Sequence, residues 1–87
     1  MQASSELVRL PEGVDLHARP AADFVRCAMG FESSLRVASG EREADAKSLL
    51  AVLALGAKGG SEVRLSAEGP DAPAALDALA ACIAGLE

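Results

Sequence analysis

The period of the hydrophobic pattern changes around Pro70, and that change excludes a chain built from helices alone. Glu62-Val63-Arg64-Leu65-Ser66 alternates strictly, as a half-buried strand does. Glu68-Gly69-Pro70 ends it. Beyond, Leu76, Leu79, Ala80, Ile83 and Leu86 recur at helical spacing, with Asp71 available as a cap and Pro73 in the first turn. The same two periods occur upstream. Glu6 to Leu10 reads as a short strand, broken by Pro11-Glu12-Gly13. From Ala18 the pattern is helical: Ala21, Phe24, Val25, Ala28 and Met29 share one face, Pro20 suits the first turn, and Gly30 is a stop. Ser34 to Ala38 alternates, Ser39-Gly40 is a turn, and Glu41 to Ala46 follows as a polar strand. Ser48 to Leu55 is a short apolar helix with its serine as N-cap and Gly56 at its end. The order β-α-β-β-α-β-α predicts one domain over residues 1–87, of α+β class, with helices layered on a four-stranded sheet. Periodicity alone does not order the strands.

Composition narrows the core and the partners. Hydrophobic residues make up 51% of the chain but aromatics only 2%, so Leu, Val, Ile and Ala must fill the interior. The formal net charge is −5, which disfavours nucleic acid and anionic membrane surfaces as partners. Met1 to Glu6 has neither the basic nor the apolar part of a signal peptide, and no apolar run approaches the roughly 18 residues of a membrane span. Cys27 and Cys82 form no CxxC pair and read as buried free thiols. One histidine and two distant cysteines predict no metal site, and nothing predicts a cofactor. A cytoplasmic monomer fits these features.

The chemistry concentrates at His17-Ala18-Arg19-Pro20. The single histidine stands immediately before a helix. A helix start offers unpaired N–H groups and the positive end of the macrodipole, which together attract an anion. Arg19 adds a guanidinium whose fork geometry matches phosphate oxygens. A neutral imidazole nitrogen is a competent nucleophile. The pattern is that of a nucleophilic nitrogen with built-in stabilisation for a dianion placed on it.

Leu16-His17-Ala18-Arg19-Pro20-Ala21-Ala22 resembles the active-site signature of HPr, the histidine phosphocarrier family of the bacterial phosphoenolpyruvate-dependent sugar phosphotransferase system. Ala46-Lys47-Ser48-Leu49-Leu50, with Leu55-Gly56 after it, resembles the family's regulatory-serine segment, and Val63 to Gly69 resembles its last strand. The resemblance implies an open-faced βαββαβα sandwich, with a four-stranded antiparallel sheet and three helices on one face. It also implies roles. His17 would accept a phosphoryl group from Enzyme I at Nδ1 and pass it to an Enzyme IIA. Arg19 and the backbone N–H groups from Ala18 and Arg19 would hold that group. Ala22, Leu49, Leu50 and Leu53 would form the partner-docking patch. Ser48 would be the target of a dedicated HPr kinase/phosphorylase. Such a chain is a carrier rather than a catalyst. Asp15 stands where the family commonly has glycine, and the Pro11–His17 loop is longer than usual. Aspartate tolerates positive φ. Its charge would oppose a phosphoryl group if it faced His17, and would be a solvated turn if it faced away.

Two other readings remain open at this level. A regulatory relative, or a phosphodonor to a dihydroxyacetone kinase, would share the sequence pattern without feeding sugar transport. An acyl carrier protein would also be small and acidic, with Ser-Leu at a helix start. Lys47 before the serine and the alternation at Val63 to Ser66 both count against it.

Overall fold

The computed structural model describes residues 2–87. It contains β1 (Gln2–Arg9), α1 (Ala18–Ala28), β2 (Ser34–Ser39), β3 (Arg42–Asp45), α2 (Leu49–Leu55), β4 (Glu62–Gly69) and α3 (Ala72–Ala84). The strands form one antiparallel sheet in the order β1-β4-β2-β3. The expected open-faced α+β sandwich is therefore the observed fold.

Register explains how the sheet acquires two unlike faces. Paired residues of neighbouring strands lie on the same side, so Leu65, Val37 and Ala44 form one buried row across three strands. The next positions along give Leu7, Arg64, Ala38 and Glu43 on the opposite side, where Leu7, Arg64 and Glu43 are exposed. The alternation read at Val63 to Ser66 is this division of faces. The helices cover the buried side. α3 packs on β1 and β4, α2 on β2 and β3, and α1 against both α2 and α3. Phe24, Leu10, Leu16, Leu35, Leu65, Leu79 and Ile83 are fully buried between the layers.

Helix ends follow the sequence signals, with two corrections. The Ser48 hydroxyl accepts from the Ala51 N–H at 3.3 Å, and Gly56 closes α2 in the left-handed conformation at φ 66°. Asp71, expected to cap α3, makes no cap bond there. Its carboxylate instead accepts from the N–H groups of Glu32 and Ser33 and from the Ser33 hydroxyl, while its own N–H donates to that hydroxyl. It ties the start of α3 to the turn before β2. Gly69 belongs to the same knot: at φ 144°, a Cβ there would lie 2.7 Å from Ser33 Oγ. Met29, expected on the apolar face of α1, is exposed although its backbone is still helical and its N–H donates to Val25 O at 2.9 Å.

The knot predicts an acid-sensitive contribution to stability. The Ser33 hydroxyl, then the Glu32 N–H, hold the Asp71 carboxyl below its ordinary 3.8, against the opposing effect of burial. A carboxyl lowered on folding stabilises above its unfolded value, and that stability is lost as pH falls through the folded value. Acid unfolding should therefore steepen below about pH 3.8. Asp71→Asn should be less stable at neutral pH and lack that part of the acid response, read by denaturant unfolding at several pH values. Parallel curves for both proteins would contradict the assignment.

Candidate functional site

His17 ends the long connection between β1 and α1, and a second loop holds that connection in place. Leu10 N–H donates to Ser61 O at 2.9 Å, Gly60 N–H to Leu10 O at 3.0 Å, and Leu16 N–H to Ala57 O at 3.0 Å. The two loops touch backbone to backbone: a Cβ on Gly59 would lie 2.5 Å from the Val14 nitrogen. Leu16 is fully buried and His17, its neighbour, is exposed. The apolar residue anchors the chain and delivers the imidazole to the surface.

Asp15 belongs to this clamp. Its Oδ1 accepts from the Gly59 N–H at 2.8 Å, and its Oδ2 lies 4.0 Å from Lys58 Nζ. No hydrogen bond joins it to the His17 ring. The side chain of Asp15 thus ties the loop before His17 to residues 58–59. Lys58 and Gly59 were not singled out in the sequence. The Gly59-Gly60 pair was the available signal, since adjacent glycines mark a close backbone approach.

The backbone around His17 is unusual. His17 is extended (φ −148°, ψ 162°), and Ala18 is left-handed at φ 52°. A left-handed alanine costs about 1–2 kcal/mol, so its surroundings must impose it. The N–H groups of Ala18 and Arg19 have no partner among the described residues, and Pro20 has none to offer. The Ala21 N–H reaches His17 O only at 3.4 Å. Arg19 is exposed, and its guanidinium is unpaired among the described residues. An exposed imidazole, two free N–H donors and a free guanidinium thus stand together at the start of an 11-residue helix. That arrangement can receive an anionic group from a donor and release it again.

The remaining residues named from sequence lie on α1 and α2, which pack together. Leu50 is 82% exposed and Leu49 42%. Ala22 and Leu53 are half-buried, and Leu53 packs against the core. Asp15, Leu16, His17, Gly56, Ala57 and Lys58 line one cavity of about 230 Å³, so the histidine sits at the C-terminal end of α2, with the Asp15 carboxylate in the same cavity. Ser48 caps the other end. The helix between them has seven residues, a rise of about 10 Å.

The chain resembles known proteins over most of its length. Residues 5–85 match the family model PTS-HPr, described as the PTS HPr component phosphorylation site. The chain belongs to the HPr family. It is 46% identical over 66 residues to the phosphocarrier protein HPr of Vibrio cholerae, covering 76% of this chain and 78% of that one. A crystal structure of the phosphocarrier protein HPr from Bacillus anthracis superposes with a TM-score of 0.89 at 33% identity, over 93% of this chain and 96% of the other. A multiphosphoryl transfer protein of Xanthomonas campestris is 43% identical over 79 residues, but the chain spans 9% of its length. HPr proteins are phosphocarriers of the phosphotransferase system. No helix among the described residues is long and apolar enough to cross a membrane.

Proposed function

We propose that this HPr-family chain acts as a single cytoplasmic carrier domain over residues 1–87, accepting a phosphoryl group on His17 from phosphorylated Enzyme I and donating it to an Enzyme IIA. The observation that carries the reading is the exposed imidazole beside the free N–H groups of Ala18 and Arg19. The neutral Nδ1 attacks phosphorus, the bond to the Enzyme I histidine breaks, and the group then sits on the imidazole. The Ala18 and Arg19 N–H donors and the Arg19 guanidinium face its oxygens. The helix end contributes about 0.3–1 kcal/mol, enough to favour a phosphoryl group without trapping it. Leu49 and Leu50 give partners an apolar contact on the neighbouring helix. The chain works as a monomer, without cofactor or metal.

The test is a relay. The chain, labelled from phosphoenolpyruvate through Enzyme I, should lose its label to Enzyme IIA. Label retained on the chain would oppose sugar transport and favour a regulatory role. Arg19→Ala should slow both steps about 10- to 100-fold, the worth of one or two charge-assisted hydrogen bonds, with little change in melting temperature.

Ser48 is proposed as a regulatory phosphorylation site. A phosphate there adds a charge of about −1.5 to −2 at the start of α2, where the helix tolerates it, beside exposed Leu49. Ser48→Asp should slow phosphorylation of His17 by Enzyme I several-fold without lowering the melting temperature much. The loss should shrink with salt, because exposed charges are screened over about 8–10 Å. A loss independent of salt would mean that Asp disturbs the cap. No loss would place Ser48 outside the interface.

A further inference from the structure

Cys27 and Cys82 are remote in sequence and adjacent in the fold. Cys27 lies near the end of α1 and Cys82 near the end of α3, and the two helices pack together. The Cys27 thiol points at Ala78 O at 3.7 Å, and the Cys82 thiol points at Asp23 O at 3.9 Å. Ala78 stands one turn before Cys82, and Asp23 one turn before Cys27. Each thiol therefore reaches the carbonyl one turn ahead of the other cysteine, which requires the helices to run antiparallel at this seam. Helical side chains lean toward the N-terminus, so in an antiparallel pair the two thiols lean toward each other. The two sulfurs thus lie on facing sides of the α1–α3 seam. Both thiols are free, as the sequence predicts, but half-buried rather than fully buried.

We infer that Cys27 and Cys82 form a two-electron redox pair that hydroperoxides close to a disulfide joining α1 to α3. The first step takes one thiol and one hydroperoxide. The O–O bond breaks, an S–O bond forms, and water or an alcohol leaves, giving a sulfenic acid. In the second step the other sulfur attacks the sulfenic sulfur. An S–S bond forms, the S–O bond breaks, and the hydroxide departs with the second thiol's proton as water. The two sulfurs lose two electrons and the peroxide gains them.

Local chemistry orders these steps. Burial, then the charge of a Cys27 thiolate, push the Cys82 thiol up to about 11, with the charge of Asp23 adding to both. Cys82 therefore stays largely protonated at neutral pH and reacts slowly with peroxide, so the sulfenic acid is placed on Cys27 and Cys82 resolves it. The pair also stands well apart from the histidine. Cys27 stands ten positions along the chain from His17, a rise of about 15 Å on a helix, so the bridge does not depend on what His17 does.

The experiment uses the full reduced chain, native and monomeric, treated with dilute hydrogen peroxide. The intact mass should fall by two hydrogen atoms, and a non-reducing peptide digest should contain Cys27 linked to Cys82. Thermal unfolding should move to higher temperature and return on adding dithiothreitol. Cys27→Ser and Cys82→Ser should each abolish the mass loss. If a serine variant does not fold, Cys27→Ala and Cys82→Ala replace it, and the linked peptide of the parent chain still decides. Exposed Met29 provides an internal gauge of oxidant dose. Three outcomes would overturn the inference: Met29 sulfoxide with both thiols still alkylatable, oxygen added to one cysteine with no link, or links only between two chains.

Discussion

Phe24→Ala should cost about 3–5 kcal/mol of folding stability, the usual range for removing a buried phenylalanine. The chain has only two phenylalanines and no Trp or Tyr, and Phe24 is the largest fully buried side chain among the described residues. Its ring is fully buried, on the α1 face that also buries Ala21 and Ala28. Domains of ordinary stability have about 5–15 kcal/mol in total, so this one change removes a large share. Each kcal/mol moves the melting temperature of a domain this size by about 4–8 °C, and the drop should exceed about 12 °C. The urea midpoint should fall with an unchanged slope. Leu50→Ala is the contrast. It removes a leucine that is 82% exposed, and should change stability by less than about 0.5 kcal/mol while slowing transfer to partners. Equal losses for the two variants would show that the core is not centred where the packing places it.

The contrast between Phe24 and Leu50 also shows what a sequence can disclose. Periodicity identifies a buried helical face, and Ala21, Phe24 and Ala28 lie on it as read. It found every helix and strand, because each pairs one apolar side with one polar side. It missed the first half of β1. Ala3, Ser4 and Ser5 carry no apolar signal, and they are strand because their backbone pairs with Glu68, Ala67 and Ser66 of β4. It misassigned Asp71 for a related reason. An aspartate before a proline-started helix is locally a cap, and only the arrival of Glu32 and Ser33 from a distant turn offers it better donors. The meeting of Cys27 with Cys82, and of Asp15 with Gly59, are likewise products of tertiary approach. The site was more legible than these ties because its parts are consecutive. His17, Ala18, Arg19 and Pro20 are neighbours along one helix start, so the chain writes their proximity directly. What the chain did not write was the left-handed turn at Ala18 or the second loop that supports it.

The same local completeness makes the histidine directly testable. The imidazole is exposed and carries no hydrogen bond among the described residues, so its removal should leave the fold intact. His17→Ala should unfold within about 0.5 kcal/mol of the parent chain, as exposed substitutions usually do. Its effect on transfer should be total, because the chain has no other imidazole to take the phosphoryl group. The decisive measurement is the position of the phosphoryl group after incubation with phosphoenolpyruvate and Enzyme I. The account predicts one group per chain, labile in acid and stable in base, located on His17 by peptide mapping and absent from folded His17→Ala. Undiminished labelling of His17→Ala, or an acid-stable phosphate on another residue of the parent chain, would contradict it.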